Sequence, residues 1–195
     1  MAKVKPEHED SPKREAILHA ALELFAEYGY HGTTVPQVAE RAAVGAGTVY
    51  RYFDSKEALV NALFQKWKGE LGRTLMEDFP MTLPVRAKFA EIWRRLASFG
   101  TQQPVAFAFL ELHHHGSYLD KRSLAVEEAL LLPLRAFAAE AQRTGEIKPL
   151  AAEMLGALVF GSFTGLVLAA RKGLLQLTPK TIHAAEQCMW AAIRR

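Results

Sequence analysis

The sequence predicts an all-α fold, and three observations support this prediction. Apolar residues recur at spacings of three and four along most of the 195 residues, as they do on the buried side of a helix. No stretch shows the polar–apolar alternation of a half-exposed strand, and no internal repeat is visible. Half of the residues are hydrophobic, which is enough to build one core or two small ones.

The first helix is predicted over residues 13–28, and Gly29 is expected to end it. Its apolar positions follow helical spacing: Ile17, Ala20, Ala21, Leu24, Phe25 and Tyr28. Residues 1–12 are polar and contain two prolines, so they are predicted to be a flexible tail.

Residues 33–59 predict two short helices, a tight turn and the start of a third helix. Thr34 is a suitable N-cap, and Pro36 falls in the first turn, where a missing N–H costs nothing. Residues 43–47 form the turn, and residues 48–53 form the second helix. Small or aliphatic residues at Ala39, Ala43 and Val49 allow the two helices to cross closely. This is the pattern of a helix-turn-helix, whose second helix enters the major groove of DNA.

The remaining elements are also predicted to be helices. A helix begins at Asp54 and Glu57 in a capping-box-like start and runs to about residue 78. Pro80 and Pro84 mark a boundary. Beyond it, helices are predicted over residues 85–102, 104–114, 119–143, 151–172 and from 178 or 179 to the end. Pro133 is expected to kink or split the third of these. The long uncharged stretch 154–170 is interpreted as a buried helix rather than a membrane span.

The run GTVYRYF at residues 47–53, followed by DSKEAL at residues 54–59, closely resembles the N-terminal signature of TetR-family transcriptional repressors. The resemblance implies a DNA-binding domain at residues 13–55 and an effector-binding and dimerisation domain at residues 56–195. It also implies a ligand-responsive repressor that binds a palindromic operator as a homodimer and is released by an effector. The aromatic content of the C-terminal helices predicts a small hydrophobic or aromatic effector.

The resemblance assigns DNA contacts to seven residues: Thr34, Gly47, Thr48, Tyr50, Arg51, Tyr52 and Lys56. Tyr50 and Arg51 are the candidates for base or backbone contacts in the major groove, and the other five for phosphate contacts. Val49 and Phe53 are core residues by the same comparison. The alternatives are that the tyrosines are half-buried aromatics and that Arg51 and Lys56 are ordinary solvated charges.

The sequence departs from the family pattern in the turn. Gly45 and Ala46 replace a common serine and lysine, which removes two polar contacts. Ala43 replaces a common glycine, at a cost of roughly 1 kcal/mol if its φ angle is positive. Residues 1–60 carry seven Lys or Arg against nine Asp or Glu, so DNA binding must rest on a few placed groups rather than a basic field. Lys3 and Lys5 are either groove contacts or part of a disordered tail.

The last two helices are rich in small residues and are predicted to form the dimer interface. The small residues are Ala157, Gly161, Gly165, Ala169, Ala184, Ala185, Ala191 and Ala192. The alternative is that they line the core of one chain. A hydrophobic effector pocket is predicted from apolar and mostly aromatic residues, whose alternative role is again core packing. The pocket residues are Trp67, Phe89, Trp93, Phe107, Phe109, Leu110 and Phe163.

Other chemistry is not indicated. His113, His114 and His115 cannot converge on one metal ion from consecutive helical positions, and Glu111 with His115 supplies only two ligands. Pocket lining or a surface cluster at a helix end are the other interpretations of the histidines. The single Cys188 excludes a disulfide framework within one chain, and no nucleophile elbow or phosphate-binding loop is visible. No metal, cofactor or enzyme activity is therefore predicted, although an enzyme and a helical interaction protein stay as rival classes. The absence of a signal peptide predicts a cytoplasmic protein without membrane contact.

Overall fold

The computed structural model describes residues 11–113 and 115–195, and the described residues fold into nine α-helices. The all-α prediction is therefore confirmed. The helices are α1 Pro12–Gly32, α2 Val35–Arg41, α3 Ala46–Tyr52, α4 Lys56–Met76, α5 Val85–Gln102, α6 Pro104–Glu111, α7 Lys121–Arg143, α8 Ala152–Arg171 and α9 Pro179–Ile193. The flexible-tail prediction, with Lys3 and Lys5, lies mostly outside the described residues; Pro12 already belongs to α1.

The helices form two compact units. The first unit contains the described residues up to Trp67 together with the described part of Val105–Leu124, and the second contains Lys68–Pro104 and Ala125–Arg195. Helices α4 and α7 each begin in the first unit and continue into the second. A domain boundary at residue 56 stays a prediction. The compact units instead group α6 and the start of α7 with the N-terminal helices.

The first unit has its core between α1, α2, α3 and the beginning of α4. Helix α1 is interrupted at Gly29, whose φ of +69° and ψ of −179° suit only glycine, as its predicted role as helix end requires. Thr33 then lies fully buried, and its hydroxyl donates to the carbonyls of Leu24 and Gly29. This closes the turn that leads into α2.

The second unit is organised by the packing of α5 against α9 and of α8 against α9. The indole nitrogen of Trp93 donates to the carbonyl of Ile182 at 3.1 Å, and the Trp93 ring packs edge-on against Phe163. Arg86 forms a two-pronged ion pair with Glu186, whose side chain is buried. Helix α7 runs through Pro133 as one continuous helix, so the prediction of a split is wrong.

Helix α8 differs from its prediction as a buried helix. Only Leu155, Phe163 and Val167 are buried within the chain, and the rest of the helix is partly or fully exposed. By length and composition the helix is apolar enough to cross a membrane, a test that covered helices of soluble proteins also pass. Its outer side is therefore an exposed apolar surface of the second unit.

Candidate nucleic-acid interface

Helix α2 begins with a complete capping box. The Thr34 hydroxyl and backbone N–H both donate to Oε1 of Gln37 at 2.8 Å, and the Gln37 N–H donates back to the Thr34 hydroxyl at 3.4 Å. Pro36 occupies the first turn, and Val35 and Val38 are buried. The predicted N-cap is confirmed. Gln37 is an exposed polar group at this helix start that the sequence analysis missed.

The turn between α2 and α3 contains a strained residue. Ala43 has a φ of +53°, in the left-handed region that glycine occupies without cost, so the expected penalty for alanine applies. Helix α3 starts at Ala46 with Gly45 as N-cap, two residues earlier than predicted. Gly47 and Thr48 therefore lie inside the first turn, and the Thr48 N–H already donates to the Gly45 carbonyl at 2.8 Å.

The two faces of α3 have opposite environments. Val49 is only 1% exposed and Phe53, directly after the helix, is also buried, so both belong to the core as the resemblance implied. Tyr50 is 51% exposed and Arg51 is exposed beside it. A short helix that is anchored on one side and presents a phenol and a guanidinium on the other can offer hydrogen bonds and charge to a groove.

The hydroxyl of Tyr52 lies 2.9 Å from the hydroxyl of Ser11, the N-cap of α1. The hydrogen bond to Ser11 lowers the pKa of Tyr52, and the cations of Arg51 and Lys13 lower it further. The start of α1 thus adds two polar groups to the end of α3. The sequence did not signal this because Ser11 fell in the predicted tail and Lys13 at its border.

Lys56 at the start of α4 has partners inside the protein. Its ammonium donates to the Thr33 carbonyl at 2.8 Å and lies 4.1 Å from the centre of the Tyr30 ring. The Tyr30 hydroxyl donates to the carboxylate of Glu57. Burial raises the pKa of Tyr30 to about 12, with the hydrogen bond to Glu57 as the second cause. A phosphate contact by Lys56 stays a prediction, and the structure adds that this residue fixes the loop before Thr34.

The predicted pocket residues are divided between the two units. Trp67, Phe107, Phe109 and Leu110 belong to the first unit, and Phe89, Trp93 and Phe163 to the second. Phe89, Trp93 and Phe163 form one aromatic chain in the second unit, while Phe109 packs on Phe25 in the first. Trp93 also lines an open groove of about 460 Å³ between α5 and α9.

The histidine segment differs from the prediction because α6 ends at Glu111 rather than residue 114. His115 is buried and not part of a surface cluster: its Nε2–H donates to the Phe109 carbonyl at 2.5 Å, and its Nδ1 accepts from the Tyr118 hydroxyl at 2.7 Å. His113 contacts the Ala26 carbonyl through Nε2 at 2.9 Å, and His114 lies outside the described residues. In the part of the chain that is described, no three His, Cys, Asp or Glu side chains are grouped to hold a metal ion.

A capped α2, a tight turn and an α3 with one buried and one exposed face define a helix-turn-helix protein. The model of bacterial regulatory proteins of the tetR family matches residues 17–63, and that of the tetracyclin repressor-like C-terminal domain matches residues 64–195. The chain belongs to the TetR family of transcriptional regulators, which are ligand-responsive DNA-binding repressors.

Individual relatives agree with this assignment. The fatty acid metabolism regulator protein of Bacillus subtilis is 29% identical over 154 residues, which are 77% of this chain and 79% of that protein. A TetR-family regulator from Marinobacter aquaeolei superimposes with a TM-score of 0.84 at 24% identity, covering 96% of this chain and 98% of that one. The regulator FadR from Bacillus subtilis, solved in complex with stearoyl-CoA, has a TM-score of 0.73 at 24% identity over 92% of this chain and 98% of its own.

Proposed function

We propose that this regulator acts as a homodimer that binds a palindromic operator and leaves it when a hydrophobic effector binds. The observation that carries the proposal is the uncovered apolar stripe of α8. Its exposed members lie four and three residues apart, on one side of the helix: Met154, Leu158, Gly161, Gly165 and Leu168. We expect a second protein surface to cover this stripe, because large contiguous apolar patches are rare on monomers.

Helix α9 supports the same interface. Ala184, Cys188 and Ala191 are exposed at the same four-and-three spacing, and α9 packs against α8. Small side chains allow helices of a second copy to approach closely, so α8 and α9 of two chains would form a four-helix bundle. The same face of α8 would suit lipid, but we propose a cytoplasmic protein without membrane contact, as its regulatory role requires access to DNA.

In the proposed complex, α3 of each copy enters the major groove, with the two recognition helices about 34 Å apart. Tyr50 and Arg51 contact bases or backbone, since they are the exposed polar side chains of α3. Phosphates are contacted by hydroxyls, backbone N–H groups and one ammonium from the helix starts, supplied by Thr34, Gly47, Thr48, Tyr52 and Lys56.

The effector is proposed to be a hydrophobic molecule, with a long-chain acyl thioester as the first compound to test. The support is the match to a fatty acid regulator over most of the chain and to a structure that contains stearoyl-CoA. Of the pocket residues predicted from the sequence, Phe89, Trp93 and Phe163 pack together in the second unit and are the candidates for lining the site. Effector binding would shift α4, which begins beside α3, and a shift of a few ångströms would prevent both recognition helices from docking together. No catalytic role is proposed.

The test combines the selection of DNA duplexes, the mass of the protein in solution and the release of DNA by an effector. The full chain is used to select duplexes from a random pool at low salt, and two inverted half-sites one helical turn apart are expected. Light scattering should give twice the chain mass, and stearoyl-CoA should release the selected duplex in a fluorescence anisotropy titration. Failure to enrich any duplex would contradict DNA binding, a monomer mass would contradict the dimer, and an unmoved anisotropy would exclude this effector.

A further inference from the structure

Asn61 is the only asparagine of the sequence, and it is buried in α4 with 4% exposure. Its side-chain amide donates to the carbonyls of Glu57 and Tyr118, both at 2.8 Å. Its side-chain oxygen accepts from the N–H of Asp120 at 2.9 Å and from the hydroxyl of Ser123 at 2.6 Å. Both N–H groups and both lone pairs of the amide are therefore used.

Three of these four partners belong to the α6–α7 connection and the first turn of α7. We call Asn61, Tyr118, Asp120 and Ser123 the Asn61 node. Asp120 also caps α7, because its carboxylate accepts from the Ser123 N–H at 2.7 Å. Gln65, one turn further along α4, donates to the Ser123 hydroxyl at 3.0 Å. The beginning of α4 is thus joined to the α6–α7 connection and the beginning of α7 by polar contacts, of which the Asn61 amide makes three and Gln65 adds others.

A second set of contacts leads from the node towards the DNA-binding helices. The Tyr118 ring stacks on Tyr30, with 4.2 Å between ring centres and 23° between planes. Tyr30 in turn carries the Lys56 ammonium on its face, and Lys56 donates to the Thr33 carbonyl. Thr33 immediately precedes the N-cap of α2. A displacement of residues 118–123 would therefore displace the residues at the start of the helix-turn-helix.

We propose that Asn61 is the positioning residue through which residues 118–123 and the DNA-binding helices hold one another in place. The inference rests on the proposed function, because it takes DNA binding as the event whose effect reaches residues 118–123. When one of the four hydrogen bonds of this buried amide breaks, a buried polar group is left without a partner, which costs free energy. An arrangement with only some of the four bonds is therefore unfavourable. The node is consequently made or broken as a unit, which is what transmission between two sites needs.

The experiment follows amide hydrogen exchange of residues 118–124 in the full chain, with and without a duplex that the protein has selected. In the wild type we expect bound DNA to slow exchange there about fivefold or more, with the Asp120 amide as the direct reporter of its bond to Asn61. Asn61→Ala should raise exchange at Asp120 in the free protein and abolish the effect of DNA on residues 118–124. Val60→Ala is the matched control, because it truncates a fully buried neighbour on α4 that makes no contribution to the node.

The proposal is overturned if Asn61→Ala keeps the DNA-dependent slowing, or if Val60→Ala loses it to the same degree. Where Asn61→Ala does not fold, Ser123→Ala removes one hydroxyl of the node and should weaken the slowing. Because the chain has a single asparagine, ¹⁵N-asparagine labelling marks one side-chain amide group, whose pair of N–H signals should shift on DNA binding although the residue is buried. Anisotropy on the same samples measures DNA affinity, so a wild type that binds no duplex contradicts the proposed function, whereas unaltered Asp120 exchange in Asn61→Ala contradicts the node itself.

Discussion

The helix-turn-helix and the last two helices use apolar residues in opposite ways. Val35, Val38 and Val49 are buried against neighbouring helices of the same chain, so this part of the first unit is complete in one copy. In α8, Met154, Leu158 and Leu168 are each at least 40% exposed. The difference supports the proposal that DNA reading is built within one chain, whereas the exposed face of α8 is covered by a second copy.

Leu158 offers the strongest test of this difference between the helix-turn-helix and α8. Its side chain is 41% exposed in the apolar stripe of α8. Leu158→Glu places two charges face to face in the proposed interface and should give a monomer. Loss of the second recognition helix should weaken operator binding by about 100-fold or more, because the two half-sites are no longer bound together. Light scattering reports the mass and anisotropy the affinity.

Leu132→Glu is the control for this change, since Leu132 is 63% exposed but lies on α7. It should leave both mass and affinity as in the wild type. A dimeric Leu158→Glu variant with normal affinity would place the interface elsewhere and end the contrast between the two regions.

Within the helix-turn-helix, Tyr50 and Lys56 are expected to differ. Lys56→Met keeps the apolar stem but removes the ammonium, so affinity should fall on all duplexes alike. The salt slope should fall by about 1.8, because each copy of the proposed dimer loses one phosphate contact. Since the Thr33 carbonyl also loses its donor, the free energy of unfolding should fall by about 1 kcal/mol. Tyr50→Ala should change sequence preference and leave stability unaltered, because half of this side chain is exposed.

Thermal unfolding and anisotropy over a salt series measure these effects. An unchanged salt slope in Lys56→Met, together with lower stability, would assign this residue to the fold alone. If Tyr50→Ala lowered the affinity for all duplexes equally, Tyr50 would not be a base-contacting residue.

Local signals explain what the sequence could predict. Thr34 with Pro36 acts through its immediate neighbours, and the N-cap is predicted correctly. The predicted helix end at Gly29 is found as an interruption of α1, which continues to Gly32, and Val49 is buried as predicted. The start of α3 was placed two residues late because Gly45 and Ala46 carry no side-chain capping signal.

The rest depends on contacts between residues distant in sequence. Asn61 and Ser123 are 62 residues apart, and nothing in the neighbourhood of either predicts that they meet. The sequence predicts His115 close to the end of a helix. Because α6 already ends at Glu111, the chain turns before His115, whose side chain is buried. For α8 the sequence predicts both a buried helix and a surface between two copies, because length and composition alone do not decide how much of an apolar helix its own chain covers.

The smallest expected effect is a change of stability in the turn of the helix-turn-helix that leaves the proposed dimer interface unaltered. Ala43 is exposed and has a φ of +53°, so Ala43→Gly relieves backbone strain without removing a buried contact. Part of the relief is offset by the greater entropy of glycine in the unfolded chain, which leaves a gain of about 0.5–1 kcal/mol. Ala42→Gly, where φ is −80°, should instead lose about 0.5 kcal/mol. Thermal unfolding should show shifts of opposite sign at an unchanged dimer mass; a loss of stability in Ala43→Gly would mean that the turn carries no strain.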